Sequence, residues 1–316
     1  MSVTFTQLRC LVAIADVRHF TRAADLLGVA QPTLSRQLKA LETELGATLV
    51  DRGSRDGPTL TAAGRAVLPL ARRMLADQES ARTAVAELAG LRTGRVRVGA
   101  TPSLCVGILA DVLRAYHGRF PALALELSEG GSRLLVESLV RGELDIALVI
   151  VPATGIDPAL ESTPILRERL SVASAASERP LSARGSVHIR ELARRPLVVP
   201  RTGYDVRDAA LRAFADAGVQ PRFAVQGGEM DAVLRLVEAG TGVAVLPDLV
   251  FAGRPGLRRT VLNPPLFRTV ALARRADLAP THAVQAFRDT LLRFLAELAG
   301  SAALPHGVQV LAQPDS

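Results

Sequence analysis

Residues 20–49 constrain the fold of this chain more than any other stretch, because they have the pattern of two short helices joined by a tight turn. Thr21 can cap the first helix, and Gly28 stands where a chain leaving a helix adopts a left-handed conformation. Pro32 suits the first turn of a second helix, since that turn does not need its missing N–H. The second helix carries four leucines at spacings of four, three and four residues: Leu34, Leu38, Leu41 and Leu45. Such a stripe predicts a helix that packs on a domain core.

The opposite side of this second helix carries short polar and cationic groups rather than the glutamates of an ordinary solvated face. Hydroxyl, amide and guanidinium groups of this kind meet base edges and phosphates in the DNA major groove. We therefore predict that the helix reads double-stranded DNA, with a plain helical hairpin as the alternative. The predicted DNA-binding residues on the two helices are Thr21, Gln31, Pro32, Thr33, Ser35, Arg36 and Lys39.

A longer pattern surrounds the two helices. It consists of AADLL at residues 23–27, QPTLSRQL at 31–38, LETELG at 41–46, LVDR at 49–52 and LTAAG at 60–64. This pattern resembles the N-terminal region of the LysR-type transcriptional regulators. Ala30 departs from it where the family usually has a hydroxyl residue, and Val50 where the family usually has phenylalanine. The first departure is expected to weaken a helix cap by up to about 1 kcal/mol, and the second removes a core contact.

The resemblance implies a winged helix-turn-helix domain in residues 1–60 and a linker helix in residues 61–93. Arg52 and Arg55 would lie on the wing, where they could touch the DNA backbone or minor groove; solvated surface charges are the alternative. The linker segment carries a heptad-like stripe of Val67, Ala71, Met74, Gln78, Ala81, Val85 and Leu88. We predict that this stripe pairs with a second copy of the chain as a homodimer or homotetramer, the alternative being that it packs on its own domain.

After residue 94, short apolar runs alternate with amphipathic stretches in the order βαβαβ, and a second run of this kind follows. The alternation predicts an α/β fold with parallel strands covered on both faces. It is similar to the two-lobed effector domain of the same family, which resembles periplasmic binding proteins. We expect an effector-binding domain at 94–300, with one lobe at about 94–164 plus 267–300, the other at 165–266, and a loose tail at 301–316.

Ligands of open α/β sheets bind at the carboxyl ends of the strands. Hydroxyl groups at helix starts in two facing lobes would suit a small anion held by N–H groups and helix dipoles. The effector-binding candidates are Thr101, Ser103, Ser132, Val149, Arg201, Thr202 and Gln226. We expect a small-molecule effector whose identity the sequence does not give, and no other cofactor.

Cys10 and Cys105 form no zinc or CxxC spacing, so no metal site is expected. Cys105 lies near a predicted helix start that could lower its thiol pKa and make it a redox sensor. The absence of a second cysteine in residues 94–300 argues against that role, because no partner thiol could resolve the oxidised sulfur.

Composition bounds the remaining classes of protein. The 316 residues, 48% of them hydrophobic, can form two or three domains. The chain has neither a signal-peptide pattern nor an apolar run of the ~18 residues that a membrane helix needs, so a cytoplasmic protein without membrane contact is expected. The net charge of +7 suits nucleic acid, but residues 1–65 hold eight Lys or Arg against six Asp or Glu, a net of only +2. The placement of the basic groups is therefore more informative than their number.

An enzyme or a solute receptor with the binding-protein fold and an unrelated helical N-terminus is the alternative from another class. Gly240 and Gly242 resemble part of a dinucleotide-binding motif, but they follow a predicted helix and lack the third glycine. No serine-hydrolase, P-loop or HExxH motif is present, and the five histidines are scattered. We therefore expect a non-enzymatic transcriptional regulator, for which RNA polymerase is a plausible partner.

Overall fold

The computed structural model of this chain describes residues 2–53, 57–88, 94–301 and 303–311, and these form two compact units that divide near residue 91. The first unit consists of helices α1 (Phe5–Val17), α2 (Phe20–Leu27), α3 (Gln31–Leu45) and α4 (Ala62–Leu88), with a short antiparallel hairpin of β1 (Val50–Asp51) and β2 (Thr59–Leu60). Helices α2 and α3 are the predicted pair.

The ends of α2 follow local chain chemistry. Gly28, with φ 65°, ends the helix in the left-handed region that favours glycine. The predicted cap at Thr21 is wrong, because α2 begins at Phe20 and its cap is His19, whose Nδ1 accepts a hydrogen bond from Arg22 N at 3.4 Å. At α3, Ala30 makes no side-chain capping bond, as its missing hydroxyl predicts.

The predicted leucine stripe of α3 packs in the core of the first unit, together with residues of α1, α2 and α4. Leu34, Leu38 and Leu41 are fully buried, whereas Leu45 is 41% exposed because α3 ends there at Gly46. Glu42, beside the stripe, accepts hydrogen bonds from the backbone N–H groups of residues 49 and 50 at 2.8 and 3.2 Å. This carboxylate fixes the start of the hairpin against α3.

Helix α4 continues through Pro69 without interruption from Ala62 to Leu88. Its predicted stripe is divided between two environments. Ala71 is fully buried in the core of its own unit, and Gln78 accepts a hydrogen bond from Arg9 Nη2 on α1 at 3.3 Å. Among the α4 side chains whose burial the structure describes, the large apolar ones that are half or more exposed are Leu70, Met74 and Val85.

The main sheet of the second unit has eight strands: β3 (Gly94–Ala100), β4 (Leu123–Glu129), β5 (Ile146–Ile150), β6 (Leu160–Ala175), β7 (Ser186–His188), β10 (Ala244–Pro247), β11 (Leu257–Arg275) and β12 (Val308–Val310). Six of them follow the order β10-β6-β11-β5-β3-β4, and the other two, β12 and β7, pair with β6 and β11. A parallel pair of β8 (Pro196–Val199) and β9 (Arg222–Gln226) forms a second sheet.

The helices of this unit are α5 (Pro102–Leu104), α6 (Ala110–Arg119), α7 (Ser132–Val140), α8 (Ile189–Leu192), α9 (Asp205–Asp216), α10 (Met230–Glu238) and α11 (His282–Ala299). A π-helical turn, Cys105–Leu109, joins α5 to α6, and a 3-10 helix, Asp248–Phe251, follows β10.

Two hydrophobic cores divide the second unit into lobes. Lobe I contains β3 to β5, α5 to α7 and α11, with Tyr116 and Phe287 among its largest buried side chains. Lobe II contains β7 to β10 and α8 to α10, with Phe214 at its centre. The long antiparallel strands β6 and β11 run through both lobes.

The end of the described chain differs from the predicted loose tail. Residues 308–310 form β12, which pairs antiparallel with β6, and Arg169 N donates to Gly307 O at 2.8 Å. Val308 is buried in the core of lobe I. Two valines separated by one residue are too short a pattern to indicate a strand without the neighbouring sheet.

Two helical glycines provide a matched test of the packing in the first unit. A Cβ on Gly64, in the first turn of α4, would overlap the Leu49 carbonyl oxygen, whereas a Cβ on Gly118, in α6, would meet no atom within 4 Å. Gly64→Ala is therefore expected to destabilise the first unit by about 1–3 kcal/mol. Gly118→Ala is expected to be neutral or to stabilise α6 by up to about 1 kcal/mol. Thermal unfolding of both variants tests this, and a Gly64→Ala variant that melts with the wild type contradicts the packing described.

Candidate DNA-reading helix and effector cleft

The predicted DNA-reading face of α3 is open to solvent. Gln31, Pro32, Arg36 and Lys39 are exposed, and Thr33 and Ser35 are half-buried beside them. Gln31 Nε2 donates to Ser35 Oγ at 3.2 Å, and Arg36 Nη2 donates to Thr33 Oγ1 at 3.3 Å. These bonds hold donor and acceptor groups along one side of the helix, opposite the buried leucines.

Three further predicted DNA-binding residues lie off α3. Thr21 is exposed in the first turn of α2. Arg52, which follows β1, is exposed and places its guanidinium carbon 5.2 Å from the centre of the Phe20 ring, so part of this side chain packs on α2. Arg55 lies outside the described residues. The DNA-binding role of the whole set stays a prediction.

The predicted effector residues that follow β3, Thr101 and Ser103, line a pocket between the two lobes. The pocket at this place is lined by Thr101, Pro102, Ser103, Gly131, Tyr204, Asp205, Val206, Met230 and Arg268. Its volume is only about 10 Å³, which is close to the space of one water molecule. In this structure the cleft is therefore closed by its own side chains.

The Ser103 hydroxyl takes part in a buried charged network. Ser103 Oγ accepts from Arg268 Nη2 at 2.8 Å, and Arg268 Nε donates to Glu168 Oε1 at 2.8 Å. The other carboxylate oxygen of Glu168 accepts from Leu249 N at 3.2 Å. Arg268 and Glu168 lie opposite each other on β11 and β6 and are both buried. Sequence reasoning missed this pair, because its members are far apart in the chain and follow no motif.

Ser132 and Thr101 have different surroundings in the same cleft. Ser132, the first residue of α7, donates from its backbone N and its hydroxyl to Asp205 Oδ2 at 3.2 and 2.8 Å. Thr101 is only 3% exposed, and its hydroxyl has no hydrogen-bond partner among the described residues. Asp205 was not among the predicted residues, since an acidic residue at a helix start is also an ordinary N-terminal group.

The other predicted effector residues do not line this pocket. Val149 is a buried residue of β5, Thr202 is exposed, and Gln226 Oε1 accepts from Arg207 Nη2 at 3.0 Å. Arg201 is half-exposed and forms an ion pair with Glu229 at 2.9 Å. All seven residues remain candidates, but the structure brings only Thr101 and Ser103 to the pocket lining, with Ser132 beside them.

Tyr204 lies between the pocket and the Arg201–Glu229 ion pair. The Arg201 guanidinium carbon is 4.6 Å from the centre of the Tyr204 ring, and the Tyr204 hydroxyl donates to Glu229. Burial, followed by the hydrogen bond to Glu229, raises the pKa of Tyr204 to about 12. The phenol is therefore a neutral wall of the cleft at physiological pH.

Cys105 begins the π-helical turn below the cleft. Burial first, and the Glu129 carboxylate second, raise the pKa of its thiol to about 12. A helix-start position could lower this pKa, but at Cys105 burial and Glu129 raise it. Since the thiolate is the reactive form, the Cys105 thiol is a poor nucleophile at neutral pH.

The described part of the chain has neither a metal-binding cluster nor a membrane-spanning helix. In residues 2–53, 57–88, 94–301 and 303–311, no three His, Cys, Asp or Glu side chains are grouped so that they could hold a metal ion. No helix in those ranges is both long enough and apolar enough to cross a membrane.

Comparison with known families matches both units. A family described as a bacterial regulatory helix-turn-helix protein of the lysR family matches residues 5–65, and the LysR substrate binding domain matches residues 89–296. The chain belongs to the LysR family. It is a DNA-binding transcriptional regulator with an effector domain, as the sequence resemblance predicts, and the predicted fold class is confirmed.

Similar proteins support this assignment over most of the LysR-family chain. The HTH-type transcriptional regulator TtuA of Agrobacterium vitis is 34% identical over 247 residues, which cover 76% of this chain and 79% of TtuA. A full-length OxyR variant from Pseudomonas aeruginosa has a TM-score of 0.70 and 28% identity, with 92% and 97% of the two chains covered. Full-length CbnR in complex with its target DNA has a TM-score of 0.64 and 27% identity, with 92% and 99% covered.

The raised pKa of Cys105 predicts an unusual alkylation profile. In a Cys10→Ser background, the rate of reaction with iodoacetamide is expected to rise about tenfold per pH unit from about pH 7.5 to about pH 9.5 without levelling off, because the thiolate fraction is still small there. Mass spectrometry of timed samples measures this rate. A rate that levels off near pH 9, as for an ordinary thiol with a pKa of about 8.5, contradicts the burial described.

Proposed function

We propose that this LysR-family chain binds an operator through α3 and changes transcription when a small molecule enters the cleft between lobes I and II. The observation that carries the DNA-binding part is the division of α3 into two faces. Leu34, Leu38 and Leu41 are fully buried, and the opposite face presents Arg36 and Lys39 to solvent. A cationic, hydrogen-bonding face on an anchored helix can enter a major groove without exposing the core.

The effector is proposed to bind at the Thr101 and Ser103 hydroxyls. These groups lie at the junction of β3 and α5, which is the carboxyl end of a parallel strand, where α/β sheets bind ligands. With only about 10 Å³ inside, the cleft has to open before a molecule larger than water can enter. Effector binding is therefore coupled to the relative position of the lobes.

We further propose that α4 joins two copies of the chain. Leu70, Met74 and Val85 lie at spacings of four and eleven residues, which place them on one side of an α-helix, and all three are exposed. The predicted seam shifts accordingly, because Ala71 already packs in its own unit. A homodimer, or a homotetramer built from dimers, would bring two copies of α3 to an inverted repeat.

The remaining proposals concern enzymatic activity, cellular location and partners. The similar proteins are transcriptional regulators, and we propose that this chain likewise has no enzymatic activity and works in the cytoplasm with RNA polymerase as a partner. A carboxylate pair or a nucleophile with its base at the cleft would favour the enzyme alternative. The carboxylates there, Glu168 and Asp205, are instead engaged with Arg268 and Ser132.

Two arginine variants test the DNA-binding proposal. Arg36→Ala is expected to weaken operator binding by about 1–3 kcal/mol and to change base preference if the contact is to a base. Arg52→Ala is expected to weaken binding to all sequences alike and to reduce the salt slope by about one unit, because it removes one phosphate contact. Fluorescence anisotropy with labelled DNA from the chain's own promoter region, at several salt concentrations, measures both effects.

Arg212→Ala is the matched control, since Arg212 is an exposed arginine on α9 in the other unit. It is expected to leave affinity and salt slope unchanged. If Arg36→Ala binds the operator as tightly as the wild type and with the same slope, the face of α3 that enters the groove has been wrongly assigned.

A further inference from the structure

A carboxylate oxygen of lobe II accepts two hydrogen bonds from lobe I in the cleft. Asp205 Oδ2, at the start of α9 in lobe II, accepts from both Ser132 N and Ser132 Oγ, at the start of α7 in lobe I. Ile150 N donates to the same Ser132 oxygen at 2.9 Å. Because a serine hydroxyl has one proton and this N–H already occupies one lone pair, the proton is directed to Asp205. The contact is thus a carboxylate held by two donors.

The backbones of the lobes also meet beside this contact. A Cβ on Gly131, the residue before α7, would overlap the carbonyl oxygen of Gly203, two residues before Asp205. Gly131 therefore lets the backbones of the two lobes approach more closely than any residue with a side chain would allow. While this approach and the Asp205–Ser132 bonds persist, the cleft has room for about one water molecule.

A second observation indicates that the closed cleft lacks a ligand group. Thr101 lines the same pocket as Asp205, and its hydroxyl is buried without a hydrogen-bond partner among the described residues. A buried hydroxyl without a partner costs free energy, which a bound molecule that accepts or donates a hydrogen bond there would offset. Arg268, the cation in the pocket, is already paired with Glu168. The group that the closed pocket leaves without a partner is thus the neutral Thr101 hydroxyl.

We infer that Asp205 is a built-in carboxylate ligand that closes the cleft, and that the effector is a compact carboxylate that competes with Asp205 for the Ser132 N–H and hydroxyl. The start of the nine-residue α7 favours an anion through its dipole and through the Ser132 N–H that now binds Asp205. The Thr101 hydroxyl supplies a donor that Asp205 leaves unused. This inference rests on the proposed effector cleft and specifies its regulation. Without effector, the cleft is held closed by the Asp205 side chain.

Chemical rescue with acetate tests the inference on the full-length chain. Asp205→Ala removes the carboxylate and leaves space for a small acid at the Ser132 donors. Raising sodium acetate to about 100 mM, with sodium chloride at equal ionic strength as reference, is expected to raise the melting temperature of Asp205→Ala by roughly 3 °C in a saturable manner. The wild type is expected to show no saturable rise, because its own carboxylate occupies the donors.

Two variants serve as controls. Asp208→Ala removes another first-turn carboxylate of α9, which is exposed, and is expected to respond to acetate as the wild type does. The double variant Asp205→Ala, Ser132→Ala loses the receiving hydroxyl and is expected to lose most of the rescue. An equal acetate response in all four proteins, or in Asp205→Ala and the double variant, overturns the inference.

Hydrogen exchange provides a measurement on the wild type if Asp205→Ala fails to fold. The backbone N–H of Ser132 is expected to exchange more slowly in the wild type than in Asp205→Asn. The neutral side-chain amide of asparagine accepts a weaker hydrogen bond than a carboxylate does. Equal exchange rates overturn the inference. Neither experiment uses DNA, so a negative result leaves operator binding through α3 unaffected, and a failure of Arg36→Ala to weaken binding leaves the closed cleft unaffected.

Discussion

The buried ion pair between Arg268 and Glu168 is the interaction on which the effector domain depends. The two residues lie opposite each other on β11 and β6, the long strands that run through both lobes. Glu168 also accepts a hydrogen bond from the backbone of residue 249, and Arg268 donates to Ser103 at the end of β3. A buried charge needs a partner and further hydrogen bonds, so the positions of β6, β11, residue 249 and Ser103 are fixed together. The proposed effector cleft is built on that fixed centre.

Periodicity predicted much of the DNA-binding unit, because a single helix face decides which side chains are buried. Leu34, Leu38 and Leu41 follow from spacing alone, and Leu45 fails only because the helix ends beside it. The stripe on α4 shows the limit of this reasoning. Spacing indicates that a face is apolar without indicating what covers it, and Ala71 packs on its own unit while Met74 stays exposed.

The lining of the proposed effector cleft could be predicted only where topology fixes the position of a residue. Thr101 and Ser103 line the pocket because they follow a parallel strand, and such strands end at one edge of a sheet. Arg268 and Glu168 were missed because their contact depends on the register of two antiparallel strands about a hundred residues apart, which no local pattern encodes. Asp205 was missed for another reason. Its partner lies in the other lobe, so its role appears only once both lobes are in place.

A double-mutant cycle on Arg268 and Glu168 tests most directly whether this pair holds the effector domain together. Glu168→Gln leaves the buried guanidinium without its counter-charge, and we expect a loss of about 3–5 kcal/mol in the free energy of unfolding. Arg268→Met should cost a similar amount, and the double variant little more than either single variant, since the two changes remove one interaction. Single variants within about 1 kcal/mol of the wild type, with strictly additive effects, would contradict the account.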